Sequence, residues 1–280
     1  MVLTTEVELG IRLRLSMLHF TKVCSVVLIV IIVAISSLAY AAEFNVLLFT
    51  KTTEWHHKSQ HTGVETIQNL GKKHFFSVEW HEDSRIFNRK DLARFGAVVF
   101  LSTTGDVLNE EQQKHFIEFI QAGNGFVGIH SASDTEKSWR WYQKLVGHTF
   151  IIHPAIQTAE IRLLNSQFPG MHKFNDQQLW TDEWYEFSPA HVSGLQYLLS
   201  VNESSYNTSA DWGHIVGNGM GYFHPIAWYH NFDGGRSFYT SLGHMASTYE
   251  LAAFQWHLFG GIYWAATGKG IITDSPPPLH

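Results

Sequence analysis

With 280 residues, 16% of them charged and 45% hydrophobic, the chain has the composition of a well-packed globule rather than a disordered segment. A formal net charge of −6, with no basic run or stripe, gives nucleic acid no footing as a partner. Eighteen histidines make the actual charge depend on pH between about 5 and 8.

The N-terminus reads as a leader. Val23 to Ile35 is an apolar run with Arg12, Arg14 and Lys22 before it and Ala39-Tyr40-Ala41 after it, a small-x-small pattern ahead of a cleavage point. Residues 1–42 are therefore expected to form a signal peptide, with Met17 as an alternative start, and the mature chain would be exported to a periplasmic or extracellular space. The rival is an uncleaved anchor, through which alone the chain would touch a membrane, but the run falls short of the ~20 residues of a span. The only cysteine, Cys24, lies in this leader, so the mature chain has no disulfide, thiolate nucleophile or Cys-ligated zinc. Residues 43–270 are expected to form one α/β domain, and 271–280, with Pro276-Pro277-Pro278, a stiff tail.

Phe44 to Phe49 is a short apolar strand, and its loop carries Trp55, His56 and His57. His61 to Lys72 has helical spacing, with Val64, Ile67 and Leu70 inward. Strands follow at 75–80 and 97–101. Asn109, with Gln112 three residues on, caps a helix over 110–122. Phe126-Val127-Gly128-Ile129 is continuous and apolar, the mark of a strand buried on both faces. His130 follows it directly. Further strands are expected at 157–163 and 195–199, a hairpin at 226–230 and 236–242 around Asp233-Gly234-Gly235, and a last helix over 249–267. This β-α-β alternation predicts a mostly parallel sheet between two helical layers.

Ligands of such sheets bind outside the carboxyl ends of the strands. His57, His130 and His244 each follow a predicted strand, and if the strands are parallel they converge on one crevice. His153, Asp134, Asp182, Glu183 and His224 come from loops that can line it. Imidazoles with a carboxylate can hold zinc through three protein ligands and one open position, for which His130, His244 and His153 are the candidate ligands. The same groups can do acid–base chemistry without a metal. With no His-Glu-x-x-His, spacing does not choose between them. Neighbours in an extended chain point to opposite faces, so one of Asp182 and Glu183 enters the pocket, and Glu183 is the choice. Ser131 is a weaker candidate nucleophile. Trp139, Trp141, Tyr142, Trp184 and Tyr185 divide between sugar-stacking and core roles.

Five stretches together resemble the ThuA-like family, named for trehalose utilisation: Trp55-His56-His57-Lys58-Ser59, Thr104-Gly105-Asp106-Val107-Leu108, Gly125 to Glu136 with the segment from Trp139 to Gly147, Asp182-Glu183-Trp184-Tyr185, and His224-Pro225-Ile226-Ala227-Trp228 through Gly234 to His244. The likeness runs from about Phe44 to Gly268. It implies a flavodoxin-like, class I glutamine amidotransferase-like three-layer sandwich. The turn that holds the amidotransferase cysteine reads His130-Ser131-Ala132 here, so that activity does not carry over. His56 stands where the family has arginine, which weakens an anion clamp. Asn207 to Gly219 is longer than the family pattern, which implies a different substrate preference.

The resulting expectation is an exported enzyme of carbohydrate metabolism, a hydrolase, lyase or isomerase acting on a disaccharide or sugar derivative. Its catalytic residues would be His130, Glu183 and His57, and Asp106, Asp134, Trp139, Tyr185 and His224 would bind substrate, with or without a divalent metal such as zinc. The alternative is a non-catalytic carbohydrate- or partner-binding domain on the same scaffold. The partner expected is a small carbohydrate, and a homo-oligomer is compatible with either reading.

Overall fold

The computed structural model describes residues 42–270, so the expected leader and proline-rich tail lie outside the described residues. Five strands form its parallel part: β1 (Asn45–Phe49), β2 (Ser77–His81), β3 (Ala97–Leu101), β4 (Gly125–Ile129) and, late in the chain, β13 (Gly235–Thr240). They lie in the order β2-β1-β3-β4-β13, the flavodoxin-like order. The sheet continues antiparallel through β12 (Pro225–Phe232), β9 (Gln196–Val201), β6 (Gln157–Leu163) and β7 (Gln178–Asp182). Four successive antiparallel steps lead from β13 to β7, so β7 again runs in the direction of β13 and its carboxyl end emerges at the same edge.

The central strands are apolar throughout because both their faces are covered. Along β1, β3 and β4, Val46, Leu48, Val99, Leu101, Val127 and Ile129 turn to one face and meet α1 (Gln60–His74) and α5 (Ala252–Thr267). Leu47, Phe49, Val98, Phe100 and Phe126 turn to the other, against α3 (Glu110–Gln121) and α4 (Arg140–Val146). A short helix α2 (Arg89–Leu92) precedes β3. Asn109 and Gln112 close the capping box of α3. Gly125 lets α5 approach β4: a Cβ there would stand 2.2 Å from the Ala265 carbonyl oxygen.

Most element positions read from the sequence agree with the structure to within a few residues. The last helix is the exception in form. It starts at Ala252, after a 3-10 turn over Ala246–Glu250 that the spacing does not separate from it. Two small pairings add to the main sheet: β5 (Thr149–Ile152) with β8 (Glu186–Ser188), and β10 (Ala210–Asp211) with β11 (Val216–Gly217). Among the described residues no helix is long and apolar enough to cross a membrane.

Candidate functional site

The carboxyl edge of the parallel strands is tied together by side chains reaching between loops. Gln60, in the first turn of α1, donates through Nε2 to the carbonyls of Thr50, which follows β1, and Leu101, which ends β3. Ser59 does not cap α1; its hydroxyl donates instead to the Gly243 carbonyl beyond β13, at 3.0 Å. Gly243 has a φ of 120°, a region that favours glycine. The loops after β1 and β13 therefore meet, and they carry His57 and His244.

His130 sits at the turn after β4 with a φ of 56°, a left-handed conformation that costs a non-glycine residue roughly 1–3 kcal/mol. Its surroundings hold it there. The Tyr239 hydroxyl donates to its carbonyl at 2.7 Å and in turn accepts from Ser133. The ring Nδ1–H donates to the Ser241 carbonyl, and the Tyr185 hydroxyl donates to Nε2, both at 2.8 Å. His130 is fully buried, with both ring nitrogens bonded.

Three imidazoles and one carboxylate gather here. One ligand atom from each of His57, His130, Glu183 and His244 lies within 4.8 Å of every other. The His57 ring is 4.5 Å from that of His130 and 5.5 Å from that of His244. Glu183 Oε2 is 2.9 Å from His244 Nδ1 and 3.5 Å from the Nε2 atoms of His130 and His153. The close pair is out of line for a hydrogen bond, so Glu183 Oε2 and His244 Nδ1 are buried without a hydrogen-bond partner.

Asp182 takes the opposite face and stays buried. Its carboxylate accepts from the backbone N–H groups of Glu183, Gly243 and His244, each at 3.0 Å. One carboxylate thus fixes the backbone of both Glu183 and His244. Burial raises its pKa to about 6, against the pull of those N–H donors.

Burial and the neighbouring His244, His153 and His56 lower the His57 pKa to about 3. Burial, then His57, holds His130 well below the usual histidine value. Both rings are neutral at pH 7; His130 has both nitrogens engaged in hydrogen bonds, and His57 keeps a nitrogen lone pair to offer. Burial pushes His244 down as well, but Glu183 and Asp182 outweigh it and its pKa is raised.

These groups open into a cavity of about 490 Å³. His57, Glu183, His244, Ser131, Asp134 and His153 supply its polar lining, and Trp55, Phe150, Tyr185 and Trp212 its aromatic walls, with Glu54 at the side. Burial raises the Asp134 pKa, although Lys137, 2.8 Å away, pulls it down.

Of the residues singled out from the sequence, His57, Glu183, Asp134, Tyr185, His244 and His153 line this cavity, and His130 lies beneath its floor. Asp106, Trp139 and His224 do not line it. Asp106 borders a separate groove with Lys51 and Asp83. Trp139 stacks on Trp141 and Tyr142. His224 donates through Nε2 to the Tyr185 carbonyl and faces Glu203 on its other side, so it braces Tyr185 from behind. Ser131 Oγ is 3.3 Å from His57 Nδ1, a neighbour brought by the fold and not by the sequence. Phe150 and Trp212 were not singled out. Trp212 lies between β10 and β11, and their pairing puts its ring 5.0 Å from that of His153.

The profile of the ThuA family, described by trehalose utilisation, matches residues 45–265. The chain belongs to the ThuA family. Two solved ThuA-like proteins share its fold. One, from Bacteroides uniformis, is 18% identical, with a TM-score of 0.67 over 81% of this chain and 93% of its own. The other, from Parabacteroides merdae, is 20% identical, with a TM-score of 0.64 over 84% and 93%. No curated protein matches the chain.

Proposed function

We propose that this ThuA-family protein is an exported enzyme acting on a small carbohydrate, a disaccharide or sugar derivative, in the cavity at the carboxyl edge of the sheet. The observation that carries this reading is the buried Glu183 Oε2, without a hydrogen-bond partner among imidazoles at the wall of an aromatic-lined cavity. Buried polar atoms without partners are few in folded proteins and call for an explanation. The cavity lies within the roughly 300–1,000 Å³ that hold small molecules. Aromatic faces suit the C–H faces of a sugar ring, and Tyr185, Asp134 and the histidines suit its hydroxyls or a carbonyl.

In this reading His57, Glu183 and His244 polarise the ligand, and Asp134 exchanges a proton with it, its raised pKa bringing it nearer to neutral conditions. His130 and Asp182 are positioning residues. The reaction is a hydrolysis, elimination or isomerisation.

A panel of disaccharides and their oxidised, keto-bearing derivatives, assayed for binding by calorimetry and for turnover by chromatography, tests it. Turnover of at least one member is expected, falling by about 10²–10⁴-fold in Asp134→Asn with the melting curve preserved. Saturable binding without turnover would replace the enzyme by a carbohydrate-binding domain, and neither binding nor turnover would remove the carbohydrate reading.

A further inference from the structure

We propose that His57, Glu183 and His244 form a three-ligand site for a divalent transition metal, zinc in the first place, with its open coordination position facing the cavity. Hydrogen-bond completeness selects these three from the cluster of four. His130 donates from Nδ1 and accepts at Nε2, so it has no free ring nitrogen. Glu183 Oε2 and His244 Nδ1 are buried and have no hydrogen-bond partner. His57 is buried, lines the cavity and has its Nδ1 against Ser131 Oγ at 3.3 Å, which leaves Nε2 as the ligand atom.

The spacing suits a small ion. A tetrahedral centre with ligand bonds of about 2.0–2.1 Å needs ligand atoms roughly 3.3 Å apart. The Glu183–His244 pair stands at 2.9 Å, and every pair in the cluster lies within 4.8 Å, so the set is within about 1.5 Å of that spacing. Two histidines and one carboxylate leave a coordination position free, the arrangement of catalytic rather than structural zinc.

The surroundings supply what ligands need behind them. Metal-bound imidazoles usually donate their other N–H to a fixed partner, and for His57 that partner is Ser131. Asp182 holds the backbone N–H groups of Glu183 and His244 on one oxygen, at 3.0 Å each, which fixes the two ligands relative to each other. Such a centre deepens the carbohydrate reading by polarising a ligand hydroxyl or carbonyl, but metal binding is measurable without any substrate.

The test uses the whole protein, stripped with a chelator and titrated with Zn²⁺ against a chromophoric competitor, beside elemental analysis of the protein as purified. One equivalent is expected. Melting temperature should rise by about 5–10 °C at a hundredfold excess over Kd. Glu183→Gln and His244→Ala should each weaken binding by at least tenfold and cut the rise at the same metal concentration by about half or more, while their metal-free melting curves show them folded. Tyr185→Phe, which removes only the hydroxyl bonded to His130, should leave the stoichiometry at one. Absence of stoichiometric binding by Zn²⁺, Mn²⁺, Co²⁺ and Fe²⁺ to the folded protein overturns the proposal. So does wild-type affinity in both ligand variants. Tight binding without carbohydrate turnover would sink the functional reading alone.

Discussion

His257 offers the cleanest test of how burial governs this protein's response to pH. It lies on α5, fully buried among Phe174, Phe238 and Phe254, with Nδ1 against the Met171 sulfur and Nε2 unpartnered. Burial lowers its pKa to about 3, against an ordinary value of 6.5. The folded pKa lies below the unfolded one, so between those values the unfolded chain binds the extra proton. Its contribution is neutral above pH 6.5, and stability falls as the pH drops from 6.5 towards 3. Each unit is about 1.4 kcal/mol, so at pH 5.0 this one side chain costs the fold about 2 kcal/mol. His257→Leu has nearly the same volume, removes the charge-bearing ring and removes an unpaired buried nitrogen. Urea unfolding at pH 7.5 and 5.0 is the assay. The variant should gain about 2 kcal/mol relative to wild type on going from pH 7.5 to 5.0. An equal loss of stability in the two proteins over that interval would refute the argument, because the proton taken up on unfolding would then belong to other groups.

Two further outcomes follow from the frame of the site. Tyr239→Phe keeps the ring but leaves the His130 carbonyl and the Ser133 hydroxyl without their partner, so it should cost about 1–3 kcal/mol in urea unfolding; an unchanged midpoint would show that the strained turn is held by other contacts. Asn109→Ala opens the capping box of α3 and should cost about 0.5–2 kcal/mol, with fluorescence-monitored unfolding as the check and no loss as the contrary result.

What the sequence discloses and what it hides follow a physical division. The strands at 97–101 and 126–129 are legible because burial on both faces writes an unbroken apolar run, and the capping pair Asn109–Gln112 is local. The family likeness is legible because its motifs mark strand ends. That Asp182 and Glu183 part to opposite faces follows from the alternation of an extended chain, which does not say which of them meets the cavity. The rest depends on distance in the sequence. Ser131 lies 74 residues from the histidine it faces. Trp212 reaches the cavity through β10 and β11, each too short to show a period. Asp106, Trp139 and His224 carry plausible chemistry in the right motifs, but Asp106 borders another groove, Trp139 stacks on its aromatic neighbours and His224 bonds behind Tyr185, which neither motif nor spacing records.

The same division separates framework from function within the cluster itself. His130 has the most unusual backbone, yet its ring is complete in its hydrogen bonds, and removing its bonding capacity would expose the strain of a left-handed histidine. Glu183 and His244 have ordinary backbones and incomplete side chains. Among the described residues, the buried side-chain atoms without partners are Ser102 Oγ, Thr240 Oγ1, Tyr249 Oη, Glu183 Oε2, His244 Nδ1, Trp180 Nε1 and His257 Nε2. Ser102 directly follows β3 and Thr240 ends β13, Tyr249 follows β13 and touches the space at Gly243, and Glu183 and His244 face the cavity. Most of the unpaired polarity therefore collects at the carboxyl edge of the sheet and little of it elsewhere. Each such atom costs about 1–3 kcal/mol, and the carboxylate of Asp182 and the tyrosine bonds at His130 hold the loops against relaxing to pair them. A fold that keeps this cost concentrated at one edge keeps there the capacity to bind what completes those atoms, and that is the physical reason for seeking the ligand, whether ion or sugar, in this cavity rather than in the other grooves of the surface.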